Sequence, residues 1–94
     1  MGVVTRIYKS FSRDDNRYFR TRNLHLAVIL FAQDFELVNL DRTNPRVSQF
    51  VFRNAYDLED TVERFTAKRP IYIDANKLFL SWTTLHSKLR QKSY

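Results

Sequence analysis

The chain has 94 residues, with Lys+Arg 16 against Asp+Glu 10 for a net charge of +6, and it contains one Gly, two Pro and no Cys. That length holds one compact domain, and 44% hydrophobic and 15% aromatic residues can fill one core, although a chain of this size buries only about 60–65% of its unfolded surface. Lack of Cys excludes disulfides, thiolate nucleophiles and cysteine-ligated zinc and suits a cytoplasmic protein; the longest apolar run, Leu26 to Ala32, is far shorter than the roughly 20 residues that cross a bilayer.

Residues 1–17 read as an N-terminal extension, an edge strand or a mobile arm, because Val3, Val4, Ile7, Tyr8 and Phe11 give way to the polar, turn-like run Ser10 to Arg17. It has no apolar signal core, and Arg6 stands where a myristoylation pattern needs Ser or Thr. Residues 18–94 read as a single domain. Tyr18 to Thr21 is a short β-prone run, and Asn23 is placed to cap a helix reaching about Gln33. That segment is apolar nearly all round and fits a buried strand as well, but its length and two alanines favour a central buried helix.

Phe35 to Leu40 and Val47 to Phe52 read as two strands of an antiparallel hairpin, joined by the turn-rich connector Asp41 to Arg46. Asn54 is placed to cap a second helix with Asp57, Glu59 and Asp60 near its start, an apolar row of Leu58, Val62 and Phe65, Lys68-Arg69 at its end and Pro70 as its stop. After the extended Ile71-Tyr72-Ile73, Asp74 can cap a third helix whose Leu78, Trp82, Leu85 and Leu89 form an apolar stripe. The expected architecture is α+β, a small antiparallel sheet of about three strands with three helices in the order β-α-β-β-α-α.

Most catalytic designs are not written in this chain. The only glycine is Gly2, so neither a P-loop nor a dinucleotide-binding fingerprint can form. His25 and His86 lie outside any two-His metal pattern, and Ser87 next to His86 on a helix points elsewhere. Asp57, Glu59, Asp60 and Glu63 read as a solvated, dipole-complementing helix face rather than a metal site. The expectation is a non-enzymatic protein with no cofactor and no metal.

The charge is uneven: residues 1–23 carry +4, 24–54 zero, 55–66 −3 and 67–94 +5. Cationic ends favour anionic partners such as nucleic acid, since neutralised phosphates release counterions; the same charge also serves simple solubility, and Lys88, Arg90 and Lys92 complement a helix dipole. The densest cluster is Arg17 to Arg22. Strand alternation puts Tyr18, Arg20 and Arg22 on one face and Arg17, Phe19 and Thr21 on the other, which sends Phe19 to the core. An aromatic plane among guanidinium groups suits base stacking and phosphate contact. Arg46 in the connector and Arg53 at the end of the second hairpin strand extend that surface.

The element order matches the start of an RNA-recognition fold, but the glycines of its signature are absent and a third helix stands where its last strand belongs. From Tyr18 to Tyr94 the chain resembles an uncharacterised family of short phage and mobile-element proteins, described only as a domain of unknown function. The resemblance rests on Tyr18-Phe19-Arg20-Thr21, Leu26-Ala27, Phe35-Glu36-Leu37-Val38, Phe50-Val51-Phe52 with Asp57-Leu58-Glu59-Asp60, and Ile73-Asp74 with Phe79 and Leu85. The chain departs at Asp34, where a glycine is expected to end the first helix, and at Ala75, where a proline is expected to open the last. The resemblance implies an α+β fold and a mobile-element setting.

Two functions fit these features. One is an accessory nucleic-acid-binding module using Arg17, Tyr18, Arg20, Arg22, Arg46, Arg53, Lys88, Arg90 and Lys92. The other is a protein-interaction module, an adaptor, inhibitor or small subunit, anchored by aromatics such as Tyr8, Phe11, Tyr56, Tyr72 and Trp82. An exposed aromatic patch away from the basic surface would favour the second.

Overall fold

A computed structural model describes residues 17–44 and 46–90. The proposed extension, apart from Arg17, and the candidate Lys92 lie outside the described residues. The elements are β1 (Tyr18–Thr21), α1 (Leu24–Ala32), β2 (Leu37–Asn44), β3 (Val47–Arg53), α2 (Leu58–Thr66) and α3 (Ala75–Arg90). This is the expected α+β order, with a three-stranded antiparallel sheet and three helices. The sheet runs β1-β3-β2, so the apolar β3 takes the central position.

Pairing of Phe19 with Phe52 and of Thr21 with Phe50 fixes the register of β1 on β3. It turns Phe19, Phe50 and Phe52 to one face, where they form the core with Leu26, Leu30, Leu58, Val62 and Leu85 from the three helices. All helices therefore cover a single face. Phe52, Leu30, Leu58 and Leu85 are completely buried, each at a position where loss of volume costs several kcal/mol, about 2–5. Tyr18 and Arg20 belong to the opposite, outer face by strand alternation.

Several boundaries differ from the sequence expectation. The connector Asp41 to Arg46 is mostly strand: β2 continues to Asn44, with Asp41 opposite Gln49 and Asn44 opposite Val47. Pairing across the sheet overrides the turn propensity of those residues. Asn54 is not the cap residue of α2: it lies three residues before the cap position, and its N–H donates to Arg17 O at 2.7 Å, continuing the β1–β3 pairing. The helix starts at Leu58 instead, with Asp57 in the cap position but making no side-chain capping bond. The other two caps form as expected: Asn23 Oδ1 accepts from Leu26 N and Asp74 Oδ2 from Lys77 N, both at 3.0 Å.

Helices α1 and α2 end in the same way. Asp34 (φ 72°) and Lys68 (φ 62°) occupy the left-handed region. Phe35 N bonds to Leu30 O and Asp34 N to Phe31 O, while Arg69 N bonds to Arg64 O and Lys68 N to Phe65 O. These paired bonds define a Schellman ending, whose left-handed residue is usually glycine. A chain whose only glycine is Gly2 closes both helices with charged residues. Asp34, where the family resemblance led to an expected glycine, does the conformational work of one.

Candidate functional site

On the outer face of the sheet, the structure brings together Tyr18, Arg20 and Arg53, and Arg17 joins them against the alternation expected from sequence, because it precedes β1 and its guanidinium reaches the Tyr18 ring. Two guanidinium groups lie over the Tyr18 ring, with Arg17 Cζ and Arg53 Cζ each 5.7 Å from its centroid, within cation–π range. Carboxylates engage two of the arginines. Arg20 Nη1 donates to Asp41 Oδ2 at 2.9 Å and to Gln49 Oε1 at 3.2 Å. Arg53 Nε donates to Glu36 Oε1 at 3.0 Å, and that bond raises the Arg53 pKa further. Asp41 also accepts from Thr43 N at 2.9 Å. The Thr43 bonds, followed by the Arg20 bond, lower the Asp41 carboxyl from its usual 3.8 to about 2.

The remaining candidates are dispersed. Arg22 is exposed beyond the end of β1 and lines a hollow of about 290 Å³ with Asp41, Thr43, Val47 and Gln49. Arg46 is exposed at the hairpin turn. Lys88 and Arg90 lie in the last turns of α3, in the helical layer, where Arg42 Nη2 donates to Lys88 O. The expected basic set is thus divided between the two layers.

A second surface lies between α1 and α3. These helices run antiparallel: Lys77 Nζ, near the start of α3, bonds to Asp34 Oδ2 just past the end of α1 at 2.6 Å. At the other end, His25 stacks on Trp82 with centroids 5.8 Å apart, and Trp82 meets His86 at 5.4 Å. Between these two ends, His25, Val28, Ile29, Leu78, Phe79 and Trp82 line a groove of about 480 Å³. Phe79 is 67% exposed and Trp82 39%. Trp82 therefore belongs to the rim of the groove and not, as the spacing suggested, to the core stripe of Leu85 and its neighbours. Phe79, Trp82 and His86 follow one another at intervals of three and four, a second apolar row beside the core row. A helix with two such rows exceeds the stripe one core seam needs, and that excess is the sequence signal for the groove.

Tyr56 and Tyr72 are also exposed, in the segments flanking α2. Tyr72 lines a polar hollow of about 490 Å³ with Asp34, Asp57, Asp60, Asp74 and Lys77. Asp60 pairs with Arg64 at 3.1 Å and Asp34 with Lys77. Among the described residues, no group of three or more His, Cys, Asp or Glu could hold a metal ion, and no helix is long and apolar enough to cross a membrane.

No curated protein matches the chain, nor does any solved structure. One family pattern matches residues 16–84, most of the chain, from the start of the sheet through the groove residues of α3. The chain belongs to the family described as Domain of unknown function (DUF5659).

Proposed function

We propose that the domain is a non-enzymatic protein-interaction module that docks a partner in the α1–α3 groove. The observation that carries this reading is the exposure of Phe79 and Trp82 beside Ile29 and His25 in one apolar groove. Apolar side chains lining a groove supply docking energy when a partner removes them from water. Polar groups that would orient a small molecule are nearly absent, since His25 alone brings polar atoms to a side chain of the lining apart from the Trp82 indole N–H. The resemblance in sequence supports a phage or mobile-element setting, and the lack of Cys supports the cytoplasm. The test is affinity capture by the full chain from nuclease-treated host lysate, followed by rebinding of the purified partner. Capture retained by the wild type and lost with Phe79→Ser is the expected result; capture unaffected by that substitution overturns the reading.

A second reading, nucleic-acid binding on the outer face of the sheet, is favoured by the Tyr18 ring with Arg17 and Arg53 close to it. It expects affinity to fall with salt, by about 0.9 log units per log unit of salt for each duplex phosphate neutralised. Absence of binding at low salt, or binding indifferent to Tyr18→Ala with Arg22→Ala, removes it. The ion pairs of Arg20 and Arg53 make it the weaker of the two, because a phosphate must compete with Asp41 and Glu36 for those guanidinium groups.

A further inference from the structure

We infer that the occupant of the α1–α3 groove is an acidic amphipathic helix of another protein; this rests on the docking reading above and names the partner's chemistry. The groove lies between two antiparallel helices and exposes apolar side chains along its length, the geometry in which an added helix seats its own apolar stripe. Charge selects among possible helices. Neither α1 nor α3 contains a single Asp or Glu, whereas α2 carries Glu59, Asp60 and Glu63. The groove's aromatic end is bordered by His25 and His86, and Arg90 lies one turn beyond His86 on the same side of α3. At the opposite end, Lys77 is already held by Asp34. Asp74 caps α3 at that end too, so a partner helix with carboxylates flanking its apolar stripe is matched at the aromatic end, by His25, His86 and Arg90, and meets no carboxylate within α1 or α3 themselves.

The same features count against two other occupants. A second copy would bring another net charge of +6 and the same carboxylate-free helices. The chain's own residues 1–16 carry Arg6, Lys9 and Arg13, with their only acids, Asp14 and Asp15, adjacent at one end. An acidic helix from a separate protein avoids both conflicts.

Trp82 is the only tryptophan in the chain, so its emission reports on the groove alone. The experiment titrates the full chain with two synthetic helical peptides that lack tryptophan and share one Leu/Phe stripe, with Glu at the flanking positions of one and Lys in the other. The Glu peptide is expected to shift Trp82 emission to the blue and to bind roughly tenfold more tightly than the Lys peptide, or better. Phe79→Ser should abolish the shift, and Arg90→Glu should weaken binding of the Glu peptide while leaving the fold intact by circular dichroism. Equal binding of the two peptides overturns the acidic partner and leaves apolar docking standing. A shift indifferent to Phe79→Ser also overturns it. Sedimentation showing a dimer that Phe79→Ser breaks overturns it in favour of a second copy. No response of Trp82 to either peptide overturns this inference together with the docking reading.

Discussion

On the outer face of the sheet, the charged groups satisfy one another: Arg20 meets Asp41 and Gln49, Arg53 meets Glu36, and the Tyr18 ring carries Arg17 and Arg53 over it. The α1–α3 groove is the opposite case. The His25, Trp82 and His86 rings meet there, while Trp82 is 39% and Phe79 67% exposed to water. A surface whose strong groups are paired internally gains little by binding, because each new contact replaces an existing one. An apolar surface without a cover gains with every square ångström that a partner buries. On the docking reading proposed above, the more highly charged region is the less available of the two, and a count of arginines does not by itself rank them.

The sharpest way to test this contrast is to compare two phenylalanines. Phe52→Ala removes a completely buried ring from β3 and should destabilise the domain by about 3–5 kcal/mol in urea unfolding. Phe79→Ser should change stability by no more than about 0.5 kcal/mol while eliminating docking. Equal losses for both would mean that Phe79 is core and that the groove is not a surface. Asn23→Ala removes the bond to Leu26 N that starts α1 and should cost about 1 kcal/mol. It should also loosen one wall of the groove, seen as greater quenching of Trp82 by acrylamide.

Lys68→Gly relieves a left-handed lysine at the end of α2, remote from both surfaces, and should stabilise by up to about 1 kcal/mol. It gives a stability change with docking unaltered, the complement of Phe79→Ser. The smallest effect concerns Asp41. Its carboxyl is lowered from 3.8 to about 2 by the Thr43 bonds and then by Arg20. A lowered folded-state pKa means that the stabilisation is present above 3.8 and is lost as pH falls through about 2. Asp41→Asn should thus differ in stability from the wild type above that window and converge with it below. Carboxyl titration by NMR in Arg20→Ala should move only part of the way back, since Thr43 is the larger cause. A complete return would assign the pairing of this face to Arg20 alone.

The period of two in Tyr18 to Arg22 was enough to send Phe19 inward and to leave Tyr18 and Arg20 on the outer face. Asn23 and Asp74 marked their helix starts because short polar side chains satisfy exposed N–H groups within three residues. These are local effects, and a linear chain records them. Asp41 to Asn44, read as turn, became strand because β3 offered partners that local propensity does not contain. Asn54, likewise, was drawn into the sheet by Arg17 O, far away in sequence.

By itself, then, the sequence determined the α+β class, the order of elements, the inward turn of Phe19 and two helix caps, since each depends on neighbours within a few residues. Only the tertiary structure decided which charges meet and which aromatics stay uncovered. Arg20 and Asp41, or His25 and Trp82, become neighbours through packing of separate elements, and whether a side chain is paired or exposed follows from what folding sets beside it.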